Sequence, residues 1–402
     1  KKHFHETGTQ RIYQRFCLVL TNIKKAVEEI VRLDISPASA GAFIFLCKTK
    51  EDTQKDFEDK LKELSQIKFP KPVIIGTSKN FNEFFNYALE IAALKRVKST
   101  VDAIEGDAIA KKELNGRLTA YQNLLFNSLY LNFENADWTF NKNKVKENNL
   151  SSIASLISNE VFKLTPIIHN ELVVRDRLSS MSMNGATILL NRVFNNSHLK
   201  NLGMEGNPSE FGIYLSLIKS NNLHIKKGDE FVISIENTNN KSIKTIYDEF
   251  LKLIKGSKEA VNVSDIYAHF VKQPYGIKIG LLPILIGIFF KATEASCAFY
   301  NKDEQGRESL ITEFDQKIAE RLYHMPETLK IMFVKIEGEK QIILDEFKSY
   351  VEKNFLNNQP IENPTPLYVL KPIVVKAYKL PSYSRKTRNF KDQRVLVLRD
   401  EL

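Results

Sequence analysis

The run Ile279–Phe290 constrains the fold of this chain more than any other segment. It contains no Arg, Lys, Asn or Gln, and it is bounded by the cations Lys278 and Lys291. Its length of about a dozen residues is well short of the roughly 20 that a membrane-spanning helix needs. Because a helix that is apolar on every side is buried on every side, we expect this helix to lie at the centre of a hydrophobic core.

The residues around this run have the element order of a winged helix-turn-helix domain. Helices are predicted over Lys244–Lys255, Asp265–Val271 and Ile279–Ala292, and strands over Ala295–Tyr300 and Ser309–Phe314. Three helices followed by a hairpin is the order of that motif. A DNA-reading third helix presents polar side chains to base edges, whereas this one is apolar. We therefore expect it to serve as a packing or interdomain element.

The first hundred residues alternate apolar, strand-like runs with helical ones. Strands are predicted over Ile12–Leu20, Gly41–Cys47 and Lys71–Gly76, with helices over Thr21–Leu33 and Glu51–Ile67 between them. Short apolar strands separated by helices of more than about ten residues are typical of parallel βαβ units. The pattern predicts a small parallel sheet.

The expected fold class is mixed α/β and mainly helical, with a small parallel α/β domain, a helical middle region and a winged helix-turn-helix domain. The predicted segments are an α/β domain at 1–105, a helical domain at 106–240, a winged-helix-like domain at 241–340, and a C-terminal helix with a basic tail at 341–402. The polar stretch 141–149 is predicted to be a linker. A length of 402 residues favours two or three domains.

Composition restricts the class of protein. Hydrophobic residues at 43% and charged residues at 26% exclude a disordered or fibrous chain. Three cysteines exclude a disulfide-stapled secreted fold. The first residues lack the apolar stretch of a signal peptide, so we expect no signal peptide and a soluble, cytoplasmic protein without a membrane partner. Since the sequence lacks an initiator Met, we expect it to be a piece of something longer.

The charge balance is basic, with 58 Lys plus Arg against 48 Asp plus Glu and a net charge of +10. Such an excess favours polyanionic partners through phosphate neutralisation, although compositional bias gives the same excess. Cations and aromatic rings alternate near the C-terminus, as single-strand or backbone binding requires. The candidate nucleic-acid-binding residues are Lys376, Lys379, Tyr383, Arg385, Lys386, Arg388, Lys391 and Arg394. A solvated basic loop with docked aromatics is the alternative.

Catalytic signatures are missing from the sequence. It contains no phosphate loop of the form G-x-x-x-x-G-K-[ST], no G-x-G-x-x-G and no C-x-x-C, so no catalytic or metal-ligating residue is assigned. Cys17 and Cys47 are expected to be buried in strands, and with Cys297 they are too scattered for a zinc site.

Two polar clusters leave alternatives open. His3, His5 and Glu6 would share a face and bind a metal if they lay on a strand, but a flexible terminal His pair is commoner. The cluster at 169–176 predicts a second class of function, a self-contained nuclease or hydrolase. Its residues are His169, Glu171, Arg175 and Asp176. That hypothesis requires a pocket in which they converge.

Several strings, taken in order, resemble the middle-to-C-terminal region of large bacterial P-loop ATP-binding proteins of phage-defence islands, the BREX-like or STAND-like ATPases. The strings are His5-Glu6-Thr7-Gly8-Thr9, Gly106-Asp107-Ala108-Ile109-Ala110-Lys111-Lys112-Glu113-Leu114, His169-Asn170-Glu171-Leu172 with Arg175 and Leu178-Ser179-Ser180, Leu202-Gly203-Met204-Glu205-Gly206, Pro274-Tyr275-Gly276-Ile277, and Leu380-Pro381-Ser382-Tyr383-Ser384-Arg385-Lys386-Thr387-Arg388. None of them is a catalytic signature.

The resemblance implies a non-catalytic body whose ATP and Mg²⁺ are bound outside this chain. The leading hypothesis is a regulatory and interaction segment of a defence ATPase, which contacts DNA through its backbone and couples it to an upstream ATPase domain or to other defence subunits. The alternatives are the hydrolase above and a pure protein–protein scaffold.

Overall fold

The computed structural model describes residues 2–33, 35–36, 38–78, 81–100, 106–147, 149–303, 305–334, 339–361, 366–381, 383 and 387. Contacts within the chain divide it into two compact units, Lys1–Lys163 and Leu164–Leu402. The structure is mixed α/β and 54% helical, which confirms the expected class. Within the described ranges, no helix is both long enough and apolar enough to cross a bilayer.

The first unit is built on a five-stranded sheet in the order β1-β2-β3-β4-β5. The strands are β1 (Tyr13–Leu20), β2 (Gly41–Lys48), β3 (Val73–Thr77), β4 (Asp137–Phe140) and β5 (Asn143–Lys144). Strands β1, β2 and β3 pair in parallel, and β4 and β5 are antiparallel to their neighbours. The predicted parallel sheet is confirmed. The sheet continues into residues downstream of the predicted α/β segment 1–105.

The predicted linker 141–149 is wrong at its start, because β5 lies there. Asn141 and Lys142 have φ values of 47° and 70°. Two consecutive residues with positive φ form the tight turn that joins hairpin strands, and Phe140 pairs with Asn143 across it. Asn adopts positive φ with little strain, so an Asn-rich stretch that reads as a linker also suits this turn.

The described residues of the first unit form six helices. They are α1 (Lys2–Thr7), α2 (Ile23–Arg32), α3 (Gln54–Leu64), α4 (Asn82–Thr100), α5 (Ala108–Glu134) and α6 (Leu150–Val161). The Asn22 and Thr53 side chains cap α2 and α3 by accepting backbone N–H bonds. The aromatic rings of Phe81, Phe84 and Phe133 lie 5.9–6.5 Å from that of Phe45 on β2. These contacts seat one end of the antiparallel α4–α5 helical hairpin on the sheet.

The second unit contains a two-stranded and a four-stranded sheet. Its helices are α7 (Ser180–Asn195), α8 (Phe211–Ile213), which continues as a π-helix over Tyr214–Lys219, α9 (Lys241–Gly256), α10 (Val263–Val271), α11 (Leu282–Thr293), α12 (Gln316–His324), α13 (Glu339–Phe355) and α14 (Pro366–Lys379). Its strands are β6 (His224–Lys227), β7 (Glu230–Ile233), β8 (Val261–Asn262), β9 (Cys297–Lys302), β10 (Glu308–Leu310) and β11 (Leu329–Phe333).

Helix α11 lies in the core of the second unit, as its sequence predicts. All residues of Leu282–Phe290 are buried, and Ile284, Ile288 and Phe289 are fully inaccessible to solvent. The helix begins three residues later than expected. Pro283 stands in its first turn, where the missing N–H costs nothing. Ile279 consequently lies outside the helix and is 51% exposed.

Helices α9, α10 and α11 precede the β9–β10 hairpin in the predicted order. The sheet has the order β10-β9-β11-β8. Strand β11, which follows α12, inserts between β9 and β8. The arrangement therefore contains two further strands, β8 and β11, and an additional helix, α12, beyond three helices and one hairpin.

Candidate functional site

The C-terminal basic segment is described only in part. Lys376 and Lys379 are exposed in the last turn of α14, and Tyr383 is 79% exposed. Lys376 Nζ lies 4.6 Å from the ring centroid of Phe355, so this cation has an aromatic partner within its own unit. The remaining candidates lie outside the described residues; they are Arg385, Lys386, Arg388, Lys391 and Arg394.

The cluster at 169–176 lies in the loop between α6 and α7. His169, Glu171 and Arg175 are exposed, and the buried side chain is that of Asn170. Asn170 Oδ1 accepts hydrogen bonds from the backbone N–H groups of Leu172 and Val173, and its Nδ2 donates to Ser216 Oγ at 2.5 Å. The segment is therefore a packed turn held by an asparagine. Of the four residues, Asp176 alone lines the cleft described next.

A cleft of about 570 Å³ opens on the second unit. Its polar lining carries both signs of charge and includes Asp176, Arg177, Ser180, Asn184, Glu320 and His324. Lys278 Nζ lies 2.5 Å from Asp176 Oδ2, and the lysine side chain is only 9% exposed. The Asp176 side chain is 35% exposed, so this partly buried ion pair ties the loop before α7 to the loop before α11.

Gly280 allows the loop before α11 to pack closely against the loop before α7 at the wall of the cleft. Its N–H donates to the carbonyl of Arg175 at 2.9 Å, and its own carbonyl accepts from the Tyr323 hydroxyl at 3.3 Å. A Cβ at this position would lie 2.7 Å from the Arg175 carbonyl oxygen. Burial raises the pKa of Tyr323 far above its ordinary value, so this hydroxyl keeps its proton and acts as a structural donor.

The N-terminal His residues do not share a strand face, because α1 is a helix. His3 is buried, and its Nδ1 lies 2.5 Å from Asn159 Oδ1. Asn159 Nδ2 donates to Glu6, so Asn159 Oδ1 accepts and the His3 Nδ1 carries the proton. His5 is exposed. In the part of the chain that the structure describes, no group of three or more His, Cys, Asp or Glu residues could hold a metal ion.

Cys17 and Cys47 are not buried core residues as predicted. Cys17 is exposed, Cys47 is half-buried, and their Sγ atoms lie 3.8 Å apart across β1 and β2. Cys297 is buried. Only the pairing of β1 with β2 brings the two thiols together, which is why the linear spacing of 30 residues did not indicate a pair.

The α4–α5 hairpin exposes a second feature that the sequence analysis missed. Four large apolar side chains near the seated end of α5 face solvent, and together they form what we call the hairpin face: Leu124, Phe126, Tyr130 and Leu131. Phe126 is 68% exposed and Leu131 is 59% exposed. Leu125 and Leu129 on the opposite side of the helix pack against the core. Exposed apolar side chains therefore lie on the solvent side of α5, with the exposed polar residues Asn123 and Asn127 among them.

Comparisons of this chain with protein-family models, with curated proteins and with solved structures each found no match.

Proposed function

We propose that this chain is a non-catalytic interaction and regulatory segment of a larger bacterial defence ATPase, with ATP and Mg²⁺ handled outside it. The observation that supports this most directly is the hairpin face. Phe126 and Tyr130 are four residues apart on α5 and are therefore neighbours on one side of the helix, and exposed aromatic residues are enriched at protein–protein contact sites. The partner surface would belong to the ATPase domain or to another subunit of the defence system.

The hairpin is a long element that is attached to the sheet at one end. Helix α5 has 27 residues, a length of about 40 Å at 1.5 Å per residue. Phe84 of α4 and Phe133 of α5 anchor the base of the hairpin in the aromatic core. Farther from the sheet, a 2.9 Å hydrogen bond from Lys98 Nζ to Asn115 Oδ1 joins the two helices. A partner that binds the hairpin face would therefore act close to the sheet on which the hairpin is seated.

The nucleic-acid part of the proposal concerns the basic tail. Lys379 and Tyr383 are exposed, which supports contact with a phosphate backbone and an unpaired base. The helices α9, α10 and α11 with the β9–β10 hairpin would form a winged-helix-like module. Because α11 is buried, this module would pack against other elements and leave backbone contacts to the tail.

ATP hydrolysis tests the regulatory assignment. The isolated chain should hydrolyse no ATP. In the full-length protein that contains this chain, the double variant Phe126→Ser/Tyr130→Ser should change the ATPase rate several-fold, because it removes the aromatic anchors of the hairpin face. The matched control is Ile109→Ser on the same helix, a residue 80% exposed outside that face, and its rate should stay at the wild-type value. Turnover by the isolated chain would contradict the proposal.

Salt-dependent DNA binding tests the tail. The tail variant replaces four cations with Ala: Lys379, Arg385, Lys386 and Arg388. The control variant replaces four exposed lysines elsewhere in the second unit: Lys227, Lys241, Lys244 and Lys258. Each lost phosphate contact lowers the slope of log affinity against log salt by about 0.7 for a single strand. Fluorescence anisotropy with a labelled oligonucleotide should thus show a much flatter slope for the tail variant alone. Equal slopes in the two variants would remove the tail from the proposal and favour a pure scaffold.

A further inference from the structure

Two of the three cysteines of this chain lie side by side on neighbouring strands. The Sγ atoms of Cys17 and Cys47 are 3.8 Å apart. Strand β1 pairs with β2 in parallel, with Cys17 opposite Phe45 and Val19 opposite Cys47. The thiols are therefore diagonal neighbours on one face of the sheet. A disulfide needs an Sγ–Sγ distance of about 2.05 Å, so a side-chain rotation with a small shift of β1 must close the gap.

The position of β1 permits that shift. It stands at the end of the described sheet order, with β2 on its inner side, and Cys17 itself is exposed. The third cysteine, Cys297, is buried in the second unit. It therefore serves as the control thiol that should stay unreactive in the experiments below.

We infer that Cys17 and Cys47 form a redox-sensitive dithiol, in which a peroxide oxidises Cys17 and Cys47 then closes an intrachain disulfide. The Cys17 thiolate attacks one peroxide oxygen, the O–O bond breaks, and the leaving oxygen departs as water after taking up a proton. The Cys47 thiolate then attacks the sulfur of the Cys17 sulfenic acid. The S–S bond forms, the S–O bond breaks, and a second water leaves. Two thiols and one hydrogen peroxide thus become one disulfide and two waters.

The two thiols differ in acidity, as this order of reaction steps requires. The Cys47 thiol donates to the Cys17 sulfur and lowers the pKa of Cys17, against the opposing effect of burial. Because Cys47 would lose this hydrogen bond on deprotonation, and because burial disfavours its thiolate, the pKa of Cys47 is raised. A solvent-accessible cysteine with a lowered pKa beside a second thiol is the typical arrangement of a peroxide-sensitive site.

The bond would form on the sheet face that seats the helical hairpin. Phe45 lies two residues before Cys47 and so points to the same face, and it contacts Phe133 of α5. Arg15 lies two residues before Cys17 and pairs with Glu134 of α5 at 2.8 Å. Oxidation would therefore cross-link the two strands that carry the base of the hairpin.

Peptide mapping of the native wild-type chain tests the inference without any variant. The chain is treated with hydrogen peroxide, blocked with iodoacetamide after unfolding, and digested without reduction. We expect a loss of two hydrogens in the intact mass, a cross-linked peptide pair containing Cys17 and Cys47, and full alkylation of Cys297. Dithiothreitol should restore both free thiols. Cys17 oxidised to sulfinic acid while Cys47 stays a free thiol would overturn the proposal, as would cross-links between chains only.

Three single variants separate the roles of the cysteines. Cys47→Ser should stop the reaction at a Cys17 sulfenic acid that dimedone traps. Cys17→Ser should consume peroxide several-fold more slowly than Cys47→Ser, because the remaining Cys47 thiol is half-buried and burial also raises its pKa, whereas Cys17 is exposed. Cys297→Ser should form the disulfide at the wild-type rate. A cross-link that depends on Cys297, or equal peroxide reactivity in Cys17→Ser and Cys47→Ser, would contradict the assignment.

Discussion

At the scale of single residues, Gly76 shows how a missing side chain positions an aromatic ring. A Cβ at Gly76 would lie 2.4 Å from the indole of Trp138. Gly76→Ala should therefore lower the free energy of unfolding by about 1–3 kcal/mol, because overpacking displaces the ring or the strand. Gly116→Ala is the matched control. This helical glycine has no neighbour within 4 Å of an added Cβ, and its substitution should stabilise by about 0.5–1 kcal/mol. Urea unfolding followed by Trp138 fluorescence measures both.

His224 makes stability depend on pH. Its Nε2 lies 2.9 Å from the Ser197 carbonyl oxygen and must donate, so its Nδ1 accepts from the Tyr214 hydroxyl at 3.0 Å. Burial lowers the pKa of His224 below its ordinary value of 6.5, more than the bond to Ser197 raises it. The unfolded chain then binds more protons, so the stabilisation is present above pH 6.5 and is lost as the pH falls below it.

Urea unfolding of the wild-type chain at pH 7.5 and 5.5, followed by circular dichroism, should show the lower stability at pH 5.5. His224→Gln should reduce that difference, and it should also destabilise at pH 7.5 because the Tyr214 and Ser197 partners are disturbed, at a cost of about 1–3 kcal/mol. His198→Gln, at an exposed position, should retain the wild-type difference. An unchanged pH response in His224→Gln would contradict this assignment.

At the scale of elements, α11 shows that a helix made almost entirely of apolar residues is buried on all its sides. Ile288 is fully buried, so Ile288→Ala should remove about 2–5 kcal/mol of stability through lost transfer energy and the cavity it leaves. The same substitution at Ile109, which is 80% exposed, should change stability by less than about 0.5 kcal/mol. Circular dichroism during denaturant unfolding compares the two variants. A similar small effect at both positions would mean that α11 is solvated.

At the scale of the whole molecule, the described hydrophobic residues form separate main cores in the two units. Ile44 belongs to the core of the first unit and Ile288 to that of the second. Trp138, the one tryptophan of the chain, lies in the first unit, so its fluorescence follows that unit alone. Ile44→Ala should lower the midpoint of the fluorescence transition, whereas Ile288→Ala should leave it in place and lower a transition seen by circular dichroism.

The two substitutions share no core partners, so their free energies should add within about 0.5 kcal/mol in the double variant. A fluorescence midpoint that moves with Ile288→Ala would contradict the separation of the cores.

The fold of this chain was predictable from its sequence where the signal is local. The strands β1, β2 and β3, the helices between them and the buried α11 were all predicted, because hydrophobic periodicity reports directly on burial within one element. The predicted linker failed at β5, where two residues with positive φ turn the chain into a hairpin. The tail candidates Arg385, Lys386, Arg388, Lys391 and Arg394 lie outside the described residues and stay predictions.

The sequence by itself determined which segments must avoid water, since an apolar helix with no polar side chain has no other stable environment. Only the tertiary structure decided which distant residues meet. Lys278 and Asp176 are 102 positions apart along the chain, and Cys17 faces Cys47 solely because β1 pairs with β2. The sequence likewise did not determine whether Phe126 is exposed, because an apolar side chain on a helix is buried only if another element packs over it. Proximity and exposure depend on packing between elements, and no local pattern encodes them.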